Sequence, residues 1–104
     1  MTTVTIEIEP KVEDVASIED KLYVSLADGR LIAIPLSWYP RLTHATAQER
    51  ANWQILSDSS GRDIIFWESL DELIPAIALI EGIPSRESAK SFNRWLQQRT
   101  VSSE

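Results

Sequence analysis

The chain has 104 residues, 43% of them hydrophobic and four of them Trp, enough for one domain with a real core and too few for two. It has no Cys and a single His, which excludes disulfides, thiolate zinc sites, iron–sulfur clusters, Cys nucleophiles and multi-histidine metal sites. Sixteen acidic against ten basic residues give a net charge of −6, so the body as a whole repels phosphate backbones.

At the N-terminus, Val4, Ile6 and Ile8 alternate with Thr3, Thr5, Glu7 and Glu9. This period of two predicts a half-buried strand ended by Pro10. The 12–18 stretch is less regular and reads either as a second strand or as an irregular connection, with Glu19-Asp20 marking a turn. Leu22, Val24 and Leu26 then alternate with Tyr23, Ser25 and Ala27 before Asp28-Gly29 and the apolar run from Leu31 to Ile34. Asp-Gly between two strand-like runs predicts a β-hairpin with a two-residue type I′ turn.

Pro35 ends that hairpin, and the aromatics Trp38 and Tyr39 lie between Pro35 and Pro40 in an ordered loop. Thr46-Ala47-Gln48-Glu49 has capping-box spacing and predicts a short helix over 47–53. A second hairpin follows, with strands at 54–56 and 62–67 around the turn cluster 57–61. Residues 68–74 are ambiguous. Pro75 at the start and Gly82 at the end frame a short helix.

Ser85 is placed to cap a last helix over 86–99, whose Ser88, Ala89, Phe92, Trp95 and Leu96 share one face and whose Arg86, Lys90 and Arg94 share the other. Residues 100–104 read as a frayed tail. The predicted class is α+β: a small, mostly antiparallel sheet of four to five strands with two hairpins, a short mid-chain helix and one or two C-terminal helices. Leu22, Val24, Leu26, Ile32, Ile34, Ile64 and Phe66 are the expected core. Residues 1–104 form one expected domain, with 85–99 as its amphipathic C-terminal helix.

The charge is unevenly spread. Residues 1–85 hold fourteen acidic and six basic groups, and residues 86–104 hold two acidic and four basic ones. The basic helix either docks on its own acidic body with the Arg86, Lys90 and Arg94 stripe in water, or grips a partner or nucleic acid. Three basic groups at four-residue spacing reach about three phosphates, a supplement to DNA binding and no more.

No catalytic group stands out. His44 is a lone imidazole in a polar stretch, and the adjacent Asp71 and Glu72 point different ways on any regular element. There is no calcium loop, no P-loop and no glycine-rich phosphate cradle, so no cofactor and no metal are expected. The longest apolar runs, 31–36 and 74–80, each contain a proline and fall far short of the roughly 20 residues that span a bilayer. The first residues have no signal-peptide pattern, and a cytoplasmic location is the expectation.

The tryptophans have two readings. Trp53, Trp67 and Trp95 suit a core between sheet and helices. Trp38 and Tyr39, with Arg41 behind them and Arg50 on the following helix, form the candidate partner-binding group, since aromatic and Arg side chains dominate interface hot spots. An inward-folded loop is the competing reading of the same residues.

The string Asp28-Gly29, then P-L-x-W-x-P-R-L over 35–42, then A-T-x-x-E-R-x-N-W over 45–53, then W-x-x-L-D-E over 67–72 resembles the bacterial "domain of unknown function 2442" family. The likeness covers about 12–82 and implies a small α+β protein, with no catalytic residue to carry over. In some members it implies an antitoxin-like partner of a second short protein. The family's β-like stretch after the last motif is replaced here by Leu73-Ile74-Pro75, which puts that element in doubt.

Three functions follow. The first is a non-enzymatic protein-binding module, antitoxin-like, whose partner is a small basic protein. The second is a DNA-linked regulator using Arg86, Lys90 and Arg94. The third is an enzyme of unrecognised type, built on carboxylates with His44 or Tyr.

Overall fold

The structure, a computed structural model, describes residues 10–102. The strand expected over 3–9 lies outside the described residues. The fold is α+β; the described residues form six strands in two three-stranded antiparallel sheets rather than one sheet of four or five. The first sheet is β1 (Val12–Ile18), β2 (Lys21–Leu26) and β3 (Leu31–Pro35); the second is β4 (Gln54–Ser57), β5 (Asp63–Trp67) and β6 (Glu72–Pro75). Helices α1 (Pro40–Thr43) and α2 (Ala47–Ala51) lie between the sheets in sequence, and α3 (Ala76–Glu81) and α4 (Ala89–Ser102) follow them.

Each sheet is a meander whose longer hairpin closes in the same way. Leu26 N–H donates to Arg30 O and Gly29 N–H to Leu26 O; Asp58 N–H donates to Arg62 O and Gly61 N–H to Asp58 O. This is a type I turn followed by a left-handed glycine, Gly29 at φ +95° and Gly61 at φ +84°. The expected type I′ turn is therefore not formed, because Asp28 stays out of the left-handed region. Its carboxylate instead accepts from the Arg30 N–H and Nε.

Each third strand ends at a proline in extended geometry that leads into a helical turn: Pro35 into a 3-10 turn over Leu36–Trp38, and Pro75 into α3. Proline has no N–H to lose at a strand end, and its fixed φ suits a helix entrance. The 12–18 stretch is a strand, and so is Glu72–Pro75 after the last motif.

The inner faces of the two sheets share one core. Val15, Leu22, Val24, Leu26 and Ile34 come from the first sheet and Ile65, Trp67 and Ile74 from the second, with Leu36, Leu42, Leu70, Leu79 and Trp95 around them. The core expected at Ile64 and Phe66 is one residue out of phase. Ile65 and Trp67 are fully buried, while Ile64 and Phe66 face outward and are half-buried. The reason is Asp63, which shares the buried face because its carboxylate accepts the Val12 N–H at 2.8 Å and joins β5 to β1. Ile32 is half-buried against the same core.

The last helix starts later than expected. Residues 86–88 are not helical, and Ser88, not Ser85, takes the capping role by accepting from the Ser91 N–H at 3.1 Å. The helix runs on to Ser102, into the stretch expected to fray.

Candidate functional site

Arg41, in the first turn of α1, lies at the centre of the best-connected polar cluster. Its Nη1 donates to Leu70 O at 3.1 Å and Asp71 O at 3.0 Å, and its Nε and Nη2 form a fork on the Glu87 carboxylate. The two carbonyls converge because the 3-10 turn over Glu68–Leu70 ends at Asp71 in the left-handed region, φ 51°. The guanidinium also lies 5.2 Å from the centre of the Trp95 ring.

Glu72 sits 3.9 Å from Arg41. Burial pushes its carboxyl up to about 7, against the pull of Arg41 and helped by the charges of Glu87 and Asp71. Glu87 moves the other way, held below the usual range by its hydrogen bonds from Arg41. The Tyr39 hydroxyl donates to Ile83 O at 2.8 Å, and burial beside Glu72 raises it to about 12. A small open cavity of about 190 Å³ lies here, lined by Tyr39, Glu72, Ile74, Ala78, Ile83 and Arg86 among others.

Arg50 closes α1. Its Nε and Nη2 donate to the last carbonyls, Leu42 O at 2.7 Å and Thr43 O at 2.9 Å, and its own carbonyl accepts the Trp67 indole N–H at 3.1 Å. The capping box of Thr46 and Glu49 forms as expected. The Glu49 carboxylate is shared with Arg99 of α4, whose hydrogen bonds hold it down at about 2.

The four residues expected to form a partner-binding group are thus brought together, but inward. Tyr39 is 4% exposed, Arg41 and Arg50 spend their guanidinium groups on carbonyls and Glu87, and Trp38 is half-buried with its carbonyl accepting the Ser85 N–H. An exposed aromatic patch is not what this loop makes, because α4 and residues 83–87 lie over it. Trp67 and Trp95 are buried and Trp53 is half-buried against the core.

Helix α4 docks on its own body through Phe92, Trp95 and Leu96, with Phe92 also 5.3 Å from His44. Arg86, Lys90 and Arg94 are all exposed. Among the described residues, no group of three His, Cys, Asp or Glu could hold a metal ion, and no helix is long and apolar enough to cross a membrane.

Two surfaces stand out from the rest. Among the described residues β1 is an outer strand of the first sheet, packed against α2, and it and its turn expose Glu13, Asp14, Glu19 and Asp20. The outer face of the second sheet is apolar at five of six positions, in the rows Leu56–Ile64–Pro75 and Gln54–Phe66–Leu73.

Against known proteins, the pattern of the family described as "Protein of unknown function (DUF2442)" matches residues 12–85. The chain belongs to this family. A crystal structure of a protein of unknown function from Rhodospirillum rubrum ATCC 11170 has a similar fold, with a TM-score of 0.62 at 23% identity, covering 77% of this chain and 95% of that one. No curated protein matches the chain.

In this DUF2442 chain, the motif residues do internal work. Arg41 ties α1 to the turn before β6, Thr46 and Glu49 start α2, Arg50 ends α1, and Trp67 pins β5 to the Arg50 carbonyl. The pairs Arg41–Glu87 and Glu49–Arg99 leave no local pattern in the sequence, since their partners lie 46 and 50 residues apart. Glu72 was visible only as half of an acidic doublet.

Proposed function

We propose that this protein is a binding module that takes a small basic protein on the acidic edge of its first sheet. The observation that carries this reading is the placement of Glu13, Asp14, Glu19 and Asp20. All four are exposed on β1 and its turn, and none enters an ion pair with a described residue. Like charges gathered on one edge steer a basic partner and orient its approach. The motif residue Arg50 borders the Glu19–Asp20 end of this edge, with its guanidinium committed to the Leu42 and Thr43 carbonyls. The specific form of this reading is the antitoxin-like half of a two-protein module, which the family resemblance supports.

The test is an affinity pull-down from the native host, read by mass spectrometry, with the wild type beside a variant carrying Glu13→Gln, Asp14→Asn, Glu19→Gln and Asp20→Asn. A single basic protein held by the wild type, released by salt and lost by the variant is the expected result. Equal retention by the variant, or no partner at all, overturns the reading.

A second reading has one observation in its favour. Lys90, Asn93, Arg94 and Gln97 line a shallow exposed groove along α4, with Arg86 exposed just before it. It makes the basic stripe a contact for nucleic acid, and a gel shift unchanged by alanine at Arg86, Lys90 and Arg94 would rule it out.

A further inference from the structure

We infer that the cavity between β6, α3 and residues 83–86 binds a primary alkylammonium ion, with the Glu72 carboxylate as its counter-ion. This goes beyond the reading above and uses a different surface.

The deepest polar groups of the cavity can accept hydrogen bonds and have none to give. The Glu72 side chain is 12% exposed, and among the described residues its carboxylate accepts no hydrogen bond. Arg41, 3.9 Å away, offers it none, because Nε and Nη2 hold Glu87 and Nη1 holds the Leu70 and Asp71 carbonyls. No buried side-chain polar atom of the described residues lacks a partner, so the Glu72 oxygens are not sealed in; they open on the cavity that the residue lines. The Tyr39 hydroxyl gives its proton to Ile83 O and leaves only lone pairs for a ligand. Two separate acceptors suit an ammonium, which carries three donors on one atom and no acceptor.

The charge balance points the same way. Arg41 is shared by three carboxylates: Glu87, Glu72 at 3.9 Å and Asp71 at 4.0 Å. Arg86 also lines the cavity, but it is exposed and enters no ion pair with a described residue, so water screens its charge. Positive charge is therefore lacking at the one carboxylate of the group that holds no hydrogen bond. The consequence is visible at Glu72, which burial, with Glu87 and Asp71 and against Arg41, holds up at about 7. A metal ion is not the answer, since among the described residues no three His, Cys, Asp or Glu are grouped to hold one.

Size and lining set the rest of the ligand. The cavity holds about 190 Å³ and is walled by Ile74, Pro75, Ala78 and Ile83. A cavity of about 150 Å³ admits benzene, so a stem of about four carbons fits behind the ammonium. A free alkylamine and the side chain of a lysine both present this group.

The test is a titration of n-butylammonium chloride into the isotope-labelled full chain at constant ionic strength, followed by amide NMR. Saturable shifts at Ile74, Ala78, Ile83 and Ser85 are expected, with a Kd in about the millimolar range. n-Butanol, which keeps the stem and drops the charge, should bind about tenfold more weakly or worse. Affinity for butylammonium should fall about tenfold per pH unit below about pH 7 and level off above it, because proton and ammonium compete for Glu72. Glu72→Gln should abolish the shifts. So should Ala78→Leu, which fills the cavity from α3 and leaves the carboxylate in place; thermal melts check that both variants fold. Nα-acetyl-lysine amide distinguishes the sources: tighter binding than butylammonium assigns the site to a protein lysine, weaker binding to a free amine, and either supports the site. The inference is overturned by the absence of saturable shifts up to about 100 mM, by equal shifts with butanol, or by a titration that neither variant changes.

Discussion

The two sheets are built alike and present opposite surfaces. Both are three-stranded meanders, both close their longer hairpin with a type I turn and a left-handed glycine, and both end at a proline that opens a helical turn. Inward they merge into one core. Outward, the first carries exposed carboxylates on β1 and its turn, and the second an apolar face across all three strands. The lesson is a division of labour. Turns and inner faces specify the scaffold, so outer faces can vary without loss of fold, and two related frames can present two unrelated surfaces.

The inner faces are the first place to break this equivalence. Trp67→Ala removes a fully buried indole and its hydrogen bond to Arg50, and costs about 4 kcal/mol in chemical denaturation. Val24→Ala, at an equally buried position in the first sheet, costs about 2 kcal/mol. Equal losses would mean that the two sheets contribute alike to the core.

Arg41→Ala comes next, at about 3 kcal/mol, because it strands the Glu87 carboxylate and two carbonyls at once. Arg41→Lys recovers only part of this, since an ammonium cannot reproduce the fork.

The pH dependence of stability separates two carboxyl groups with opposite signs. Glu49, held at about 2, gives stability that is present above its unfolded value of 4.5 and is lost as pH falls toward 2. Glu72, raised to about 7, binds its proton more tightly in the folded chain. Stability therefore falls as pH rises from 4.5 to about 7 and then levels. Denaturation midpoints across pH 2–8 should show both limbs. Glu72→Gln should flatten the upper one alone.

The smallest effect tests the shared turn directly. Gly29→Ala and Gly61→Ala each place a Cβ in open space, so the cost is the left-handed backbone alone, about 1–2 kcal/mol and equal at the two sites by thermal melts.

Local features were legible in the sequence and long-range ones were not. Thr46 and Glu49 announced α2 because a capping box is complete within four residues. Asp28-Gly29 and the 57–61 cluster announced two hairpins, although the turn type at Asp28 depended on one backbone angle that the dipeptide does not dictate. β5 could not be oriented from Asp63-Ile64-Ile65-Phe66-Trp67, since apolar residues occupy both faces. The decisive fact, a hydrogen bond from Val12 to Asp63, spans 51 residues. The Trp38–Arg41 group was visible as a group, but its direction was set by α4 and Glu87 arriving from far along the chain.

The meander topology also has a kinetic consequence. Among the described residues every strand pairs only with its neighbour in sequence, so each sheet can assemble by closing short loops, with little entropy lost in the search. The contacts that join the sheets, Val12 to Asp63 and Lys11 to Gly61, span about half the chain and pay for their order only once both meanders exist. Folding should therefore be fast, with docking of the two meanders later than their own closure.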